Sequence, residues 1–180
     1  MDSKGTIRRR LLASRDLLLC QQVVAESIHI CDRLKVLLSE KTPTSILLYA
    51  PIRNEVDPLY LLPWLRENNI TVCLPSIQSN KIVPLVYARE EPLIRGHFGI
   101  NEPSHRIIHP DPCDIVVAPC VAVDKARYRL GYGKGFYDRF LSPNSFSIGL
   151  VYPFQVIENF PHDIHDQPLS RIITCNEVLQ

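Results

Sequence analysis

The first forty residues follow a helical period. From Lys4 to Leu38 there is no proline and one glycine, and Leu11, Leu12, Leu18, Leu19, Val23, Ile30, Leu34, Leu37 and Leu38 recur against a polar background. That spacing predicts one long amphipathic helix, or two in succession with a break near Ser14. "KTPTS" then stops it. Short apolar runs follow, closed by proline or polar residues: "SILLYAP", "ITVCLP", "KIVPLVYA", "DIVVAPCVAVD", "FSIGLVY" and part of "RIITCNEVL". Each suits a strand. Pro84 sends the third to a sheet edge or a bulge. Asp114 to Asp124 reads as the clearest buried strand. "DPLYLLPWLRENN" reads as a helix with Asp57 as N-cap and Pro58 in its first position, made irregular by Pro63. Tyr60 and Trp64 fall on its core-facing side. "FYDRFL" opens a further short helix. Strands alternating with helices predict an α/β layered fold. No repeat, charge block or low-complexity linker divides the chain, so residues 1–180 read as a single domain.

Composition narrows the classes of function. The 180 residues are 46% hydrophobic and 22% charged, enough for one sizeable core. A formal net charge of +1 gives no global footprint for nucleic acid. No apolar run reaches the ~18–20 residues of a membrane span. The first residues lack the apolar stretch of a signal peptide, so a cytoplasmic protein is expected. Cys20, Cys31, Cys73, Cys113, Cys120 and Cys175 show no C-x-x-C spacing, and reduced core thiols are expected rather than a zinc or redox motif. His105 with His109, and His162 with His165, lie in proline-flanked loops rather than on a helix, and no metal site is expected from them.

The chemistry concentrates in "RYRLGYGKGFYDRF", Arg127 to Phe140, which holds three of the seven glycines within five residues. Gly131, Gly133 and Gly135 let the backbone approach an anion closely and adopt positive φ. Successive N–H groups can then converge on phosphate oxygens, helped by a helix starting near Phe136. Arg129 offers a bidentate fork and Lys134 a mobile charge. Asp138 can hold Mg²⁺ together with substrate phosphates. The spacing fits neither a P-loop nor a dinucleotide fingerprint. A tight glycine-rich turn with solvated charges is the alternative.

Taken with other segments, this stretch resembles the 5-formyltetrahydrofolate cyclo-ligase family, also called methenyltetrahydrofolate synthetase. Arg129 to Asp138 fits the family's R-L-G-x-G-x-G-[YF]-Y-D. Lys4 and Arg8 match its K-x-x-x-R helix start, Glu55 and Asp57 its E-[VI]-[DE] segment, "FGINEP" its aromatic-x-I-x-E-P segment, and "HDQPL" (His165 to Leu169) its late H-D-x-P-L. The resemblance implies a three-layer α/β/α sandwich with a mixed, mostly parallel central sheet, like that of ribose-5-phosphate isomerases and CoA transferases. It also implies a ligase of one-carbon metabolism that turns 5-formyltetrahydrofolate and ATP into 5,10-methenyltetrahydrofolate, ADP and phosphate, with Mg²⁺, through a phosphorylated formyl intermediate. By the same resemblance, Lys4, Arg8 and the run Arg129, Leu130, Gly131, Tyr132, Gly133, Lys134, Gly135, Phe136 and Tyr137 bind ATP, with Arg129 and Lys134 catalytic. Asp138 binds the metal, and Ala50, Glu55 and Phe98 bind the folate. The expected partners are these small molecules, with no nucleic acid or membrane, and the chain is taken as a monomer. Three positions depart from the pattern: Ser170 stands where the family has a metal-assigned Asp, Arg127 where it often has Gly, and Cys120 where it has Gly. They leave room for a relative with another substrate, or for a nucleotide-binding module without turnover.

Overall fold

The computed structural model describes residues 2–88, 91–163 and 166–180. The N-terminal periodicity resolves into α1 (Lys4–Asp16) and α2 (Cys20–Lys41). Ser3 caps α1 by accepting the Thr6 N–H at 3.2 Å. The break falls at residues 17–19, later than Ser14. There Gln22 turns back to accept the Leu19 N–H at 2.9 Å and starts the second helix. Leu17 and Leu19 are left 82% and 66% exposed, so the leucine pattern runs through a junction that has no turn residue. Thr42, in the left-handed region, ends α2.

The strands, in chain order, are β1 (Ser45–Leu47), β2 (Thr71–Gln78), β3 (Lys81–Val86), β4 (Leu93–Arg95), β5 (Asn101–Pro103), β6 (Ile115–Ala118), β7 (Ala122–Asp124), β8 (Arg129–Leu130), β9 (Phe146–Leu150), β10 (Val156–Ile157), β11 (Arg171–Ile173) and β12 (Val178–Leu179). Two short helices interleave, α3 (Leu62–Glu67) and α4 (Phe136–Phe140). The central sheet has the order β12-β11-β9-β6-β1-β2-β3. Its interior pairs are parallel, and β3 and β12 close it antiparallel. Pro84 therefore sits on an edge strand, as its missing N–H requires.

Alternate residues separate the two faces of the sheet. Ile46, Leu48, Val72, Leu74, Ile115 and Val117 pack with Ile30, Leu34 and Leu38 of α2 and Leu65 of α3. Leu47, Cys73, Val116, Ala118 and Ile172 meet Leu141 and Leu169 on the other face, with the aromatics of α4 beside them. A second sheet, β10-β7-β8, lies beyond. Ile7 and Leu11 of α1 pack on its Ala122 and Leu130. The α/β architecture with a mixed, mostly parallel sheet is as expected, and the small sheet joins the second covering layer.

Two expectations are corrected. Residues 114–124 do not form one strand. Pro119 has no N–H to carry the ladder on, and the chain leaves the central sheet after β6 and enters the small one as β7. Arg15 Nη1 and Gln155 Nε2 hold the crossing through the Cys120 carbonyl, at 3.1 and 3.0 Å. The helix after Asp57 begins as a 3-10 turn (Pro58–Leu61), capped by Asp57 Oδ1 on the Leu59 N–H. Trp64 packs against the core, but Tyr60 is 40% exposed.

Gly149, in the middle of β9, is fixed by close packing. A Cβ there would stand 2.7 Å from Leu169 Cδ1 and 3.1 Å from Cys120 Sγ. Gly149→Ala is expected to lower stability by about 1–3 kcal/mol, the usual range for overpacking. An unchanged urea midpoint would contradict this.

Candidate active site

The strand order reverses beside β1. The chain runs from β1 to β2 on one side, while β6, β9 and β11 build out the other. Open α/β sheets bind ligands at such a switch, beyond the carboxyl ends of the strands. A cavity of about 380 Å³ opens there. Tyr49 and Ala50, just after β1, and Pro119, just after β6, line it. So does the glycine-rich stretch: Arg129, Gly131, Tyr132, Gly133, Lys134, Gly135, Phe136, Tyr137 and Asp138. The apolar lining comes from Pro75, Ile77, Ile82 and Ile100, and two buried carboxylates, Glu55 and Glu102, complete it.

Gly133 (φ +91°) and Gly135 (φ +68°) occupy backbone conformations that side chains strain to reach. Gly131 is bare for another reason: its Cβ would lie 2.6 Å from Arg129 Nη1. Arg129 is 7% exposed. Its Nη2 bonds Asp138 Oδ1 at 2.5 Å, and its guanidinium lies over the Tyr137 ring, 5.4 Å from the centroid. Arg129 Nε and the Tyr137 hydroxyl are buried with no hydrogen-bond partner among the described residues. An orphaned buried polar group costs about 1–3 kcal/mol, and both residues wall the cavity. A ligand with acceptor oxygens would satisfy both. α4, five residues long, adds little dipole to this, so the positive character comes from Arg129 and Lys134, which line the cavity.

The other expected ATP contacts divide. Arg8 reaches the loop, its Nε donating to the Gly131 carbonyl at 2.8 Å, and its guanidinium lies against Gly133. Lys4 bonds Asp163 and Asp166, at 2.6 and 2.8 Å, and is not part of the cavity lining. Leu130 turns its side chain into the cluster with Ile7 and Leu11. Phe98 lies in the 3-10 turn His97–Gly99. Its side chain, and His165, lie outside the described residues.

The three departures from the family pattern serve local structure. Ser170 trades hydrogen bonds with Ser147 of β9 and donates to the Ser145 carbonyl at 3.4 Å. Arg127 takes the left-handed backbone (φ +68°) that glycine reaches most easily, and its Nε donates to the Leu169 carbonyl at 3.0 Å. Cys120 is buried in the crossing between the two sheets.

Glu55 sits in a network that the motifs do not show. Tyr132 donates to Glu55 Oε1 at 2.9 Å, and Arg15 Nη2 donates to the Tyr132 hydroxyl. Arg15 is 1% exposed, and its Nη2 lies 3.7 Å from Glu55 Oε1. Arg15 Nε donates to the Arg53 carbonyl at 2.9 Å. The Ile52 N–H donates to Glu55 Oε2 at 2.9 Å. Burial raises the Glu55 carboxyl above its ordinary value, and Arg15, the Ile52 N–H and the Tyr132 hydroxyl pull it back only in part. Tyr132→Phe removes one donor to the charged form, so Glu55 is expected to titrate at higher pH in that variant. Carboxyl ¹³C NMR checks this, and an unchanged or lower value contradicts it. The place of Arg15 was only half detectable: Ile7, Leu11 and Arg15 fall four apart on one buried face of α1, but an arginine continuing an apolar stripe ordinarily buries its stem and keeps its head in water. Glu102 was visible only as a letter in "FGINEP". Its Oε2 accepts from Ser76 Oγ at 2.8 Å.

Comparison with known proteins places this geometry among relatives. The model of the 5-formyltetrahydrofolate cyclo-ligase family matches residues 1–175. The 5-formyltetrahydrofolate cyclo-ligase of Mycoplasma genitalium is 35% identical over 98% of this chain and 99% of its own. That of Haemophilus influenzae is 32% identical over 76% and 79%. The solved 5,10-methenyltetrahydrofolate synthetase of Aquifex aeolicus superposes with a TM-score of 0.86 at 33% identity, covering 97% of this chain and 91% of that one. That of Mycoplasma pneumoniae gives 0.80 at 28%, covering 97% and 99%. A glycine-rich loop at the switch point, set beside a buried carboxylate, is thus embedded in a chain matched almost end to end, and the chain belongs to the 5-formyltetrahydrofolate cyclo-ligase family.

Proposed function

We propose that the chain converts 5-formyltetrahydrofolate and ATP to 5,10-methenyltetrahydrofolate, ADP and phosphate. The observation that carries this reading is a single cavity in which a bare-backbone loop with an under-satisfied Arg129 meets buried Glu55 and an apolar wall. Triphosphate and pterin can be held there side by side.

A formamide oxygen is a poor leaving group. Attack of that oxygen on the γ-phosphorus, with cleavage of the bond to ADP, makes it a phosphate ester on an iminium carbon. N10 then attacks the carbon, the carbon–oxygen bond breaks, phosphate departs and N10 loses its proton. Catalysis of such a transfer is mostly positioning and charge neutralisation. The loop N–H groups and Arg129 hold the transferring phosphoryl group. Arg8 steadies the loop through Gly131, and Lys134 at the exposed rim adds charge. Tyr49, Ala50 and the isoleucines pack the pterin and keep water from the activated carbon, with Glu55 orienting the formyl end. Asp138 lines the cavity and uses Oδ1 for Arg129, which leaves the other oxygen for Mg²⁺. That ion would neutralise phosphate charge when bound, and a single carboxylate fits its habit of sharing itself with phosphates and waters.

The direct test is absorbance of methenyltetrahydrofolate, which should rise only with 5-formyltetrahydrofolate, ATP and Mg²⁺ together. ATP bound without consumption of the folate would point to another substrate and sink the reading. Asp138→Asn is expected to raise the Mg²⁺ needed for half-maximal rate at least about tenfold, the scale of a lost metal-site interaction. An unchanged Mg²⁺ dependence would remove Asp138 from that role.

A further inference from the structure

Among the described residues the fold assembles one group of soft ligands that the sequence spacing did not announce. Cys73 lies in β2, Cys113 precedes β6, and His109 belongs to the segment joining β5 to β6. One ligand atom from each comes within 4.8 Å of the others. In a tetrahedral zinc site, sulfurs stand about 3.8 Å apart and sulfur and nitrogen about 3.5 Å apart. Small side-chain adjustments close the difference.

The histidine provides the second observation. Its Nδ1 lies 2.7 Å from the Asp111 carbonyl, which can only accept. Nδ1 therefore carries the proton, and Nε2 keeps a lone pair. Carbonyl-bonded histidines of this kind are the usual outer support of a metal ligand. Two buried cysteines alone would be ordinary packing. Two buried cysteines converging with an imidazole make a donor set of two sulfurs and one nitrogen. That set suits a thiophilic d¹⁰ cation and is poor for Mg²⁺.

We propose that Cys73, His109 and Cys113 bind a Zn²⁺-class cation, with water as the fourth ligand. Cys73 and Cys113 are 0% and 7% exposed, while His109 is half-buried and opens the site to solvent. None of the three lines the cavity, so the ion has no part in phosphoryl transfer. Its consequence is mechanical. The segment that carries His109 is already tied to β3, with Val86 N–H donating to the Ile107 carbonyl and His109 N–H to the Pro84 carbonyl, at 2.8 and 3.0 Å. A cation would fasten that segment to β2 as well, the strand whose Pro75 and Ile77 wall the cavity.

The test uses the full-length chain, fully reduced, stripped of metal and held in excess Mg²⁺ to occupy the phosphate region. Cys20 and Cys175 are first changed to serine to remove the more exposed thiols. Titration with Zn²⁺ is expected to show about one equivalent bound per chain, and Co²⁺ to give thiolate charge-transfer and tetrahedral d–d bands. Cys113→Ser should abolish the bands. His109→Gln should weaken Zn²⁺ binding at least about tenfold and remove the Zn²⁺-induced rise in Tm, with far-UV circular dichroism unchanged. Should Cys113→Ser fold poorly, the half-buried His109 variant decides alone. The proposal is overturned by no stoichiometric uptake, by equal binding in His109→Gln, or by a Cys73–Cys113 disulfide whose reduction restores no affinity for the ion.

Discussion

Arg129→Ala is expected to lower the rate of methenyltetrahydrofolate formation by about three orders of magnitude. Cationic groups that stabilise a transferring phosphoryl contribute about 10³–10⁵ in rate where they have been removed. Arg129 holds the centre of the loop: it pairs with Asp138, stacks on Tyr137 and keeps one donor unsatisfied. Truncation removes that charge and frees Asp138 to repel the phosphates. Lysine should not rescue, because a point charge cannot both bond Asp138 and present a planar fork. The measurement is single-turnover formation of product at saturating ATP and Mg²⁺, with folding checked by circular dichroism. A loss smaller than tenfold would show that the loop backbone alone does the work assigned here to the guanidinium.

The second large effect is on stability. Arg15→Ala leaves Glu55 buried with its main charge partner gone and strips the Arg53 and Cys120 carbonyls of a donor. Breaking a buried pair by removing one partner costs about 3–5 kcal/mol. In a chain of this size that is a fall in Tm on the order of 10 °C. The double variant Arg15→Met/Glu55→Leu should recover much of the stability, since apolar replacements of buried pairs are often neutral or better, yet it should stay inactive. Thermal unfolding of the single and double variants separates the two contributions. A double variant no more stable than Arg15→Ala would mean that Arg15 acts through the carbonyls rather than through Glu55.

The parts of this molecule that could be read from sequence are those with a local cause. Central strands announce themselves as apolar runs because both faces of a parallel sheet are covered. The glycine loop is legible because positive φ at residues 133 and 135 demands glycine. What escaped depends on distant partners. β7, β8 and β10 are two or three residues long and carry no period. The change of sheet at Pro119 is hidden because β6 and β7 are equally apolar. Tyr132 bonds Glu55 across 77 positions, and Lys4 meets Asp166 across 162. Nothing in either neighbourhood marks those pairings. Motif resemblance supplied Glu55, but Arg15, its buried charge partner, is in none of the matched segments.

The contact of Arg8 with Gly131 spans 123 positions, and that of Arg15 with Tyr132 spans 117. During synthesis, therefore, the helix made first waits on the ribosome for a loop made near the end. Until residue 132 emerges, Arg15 has no burial place and the cavity lacks its glycine-rich wall. Catalytic competence should arrive abruptly rather than by degrees, and half-made chains would be clients for holding chaperones instead of slow enzymes.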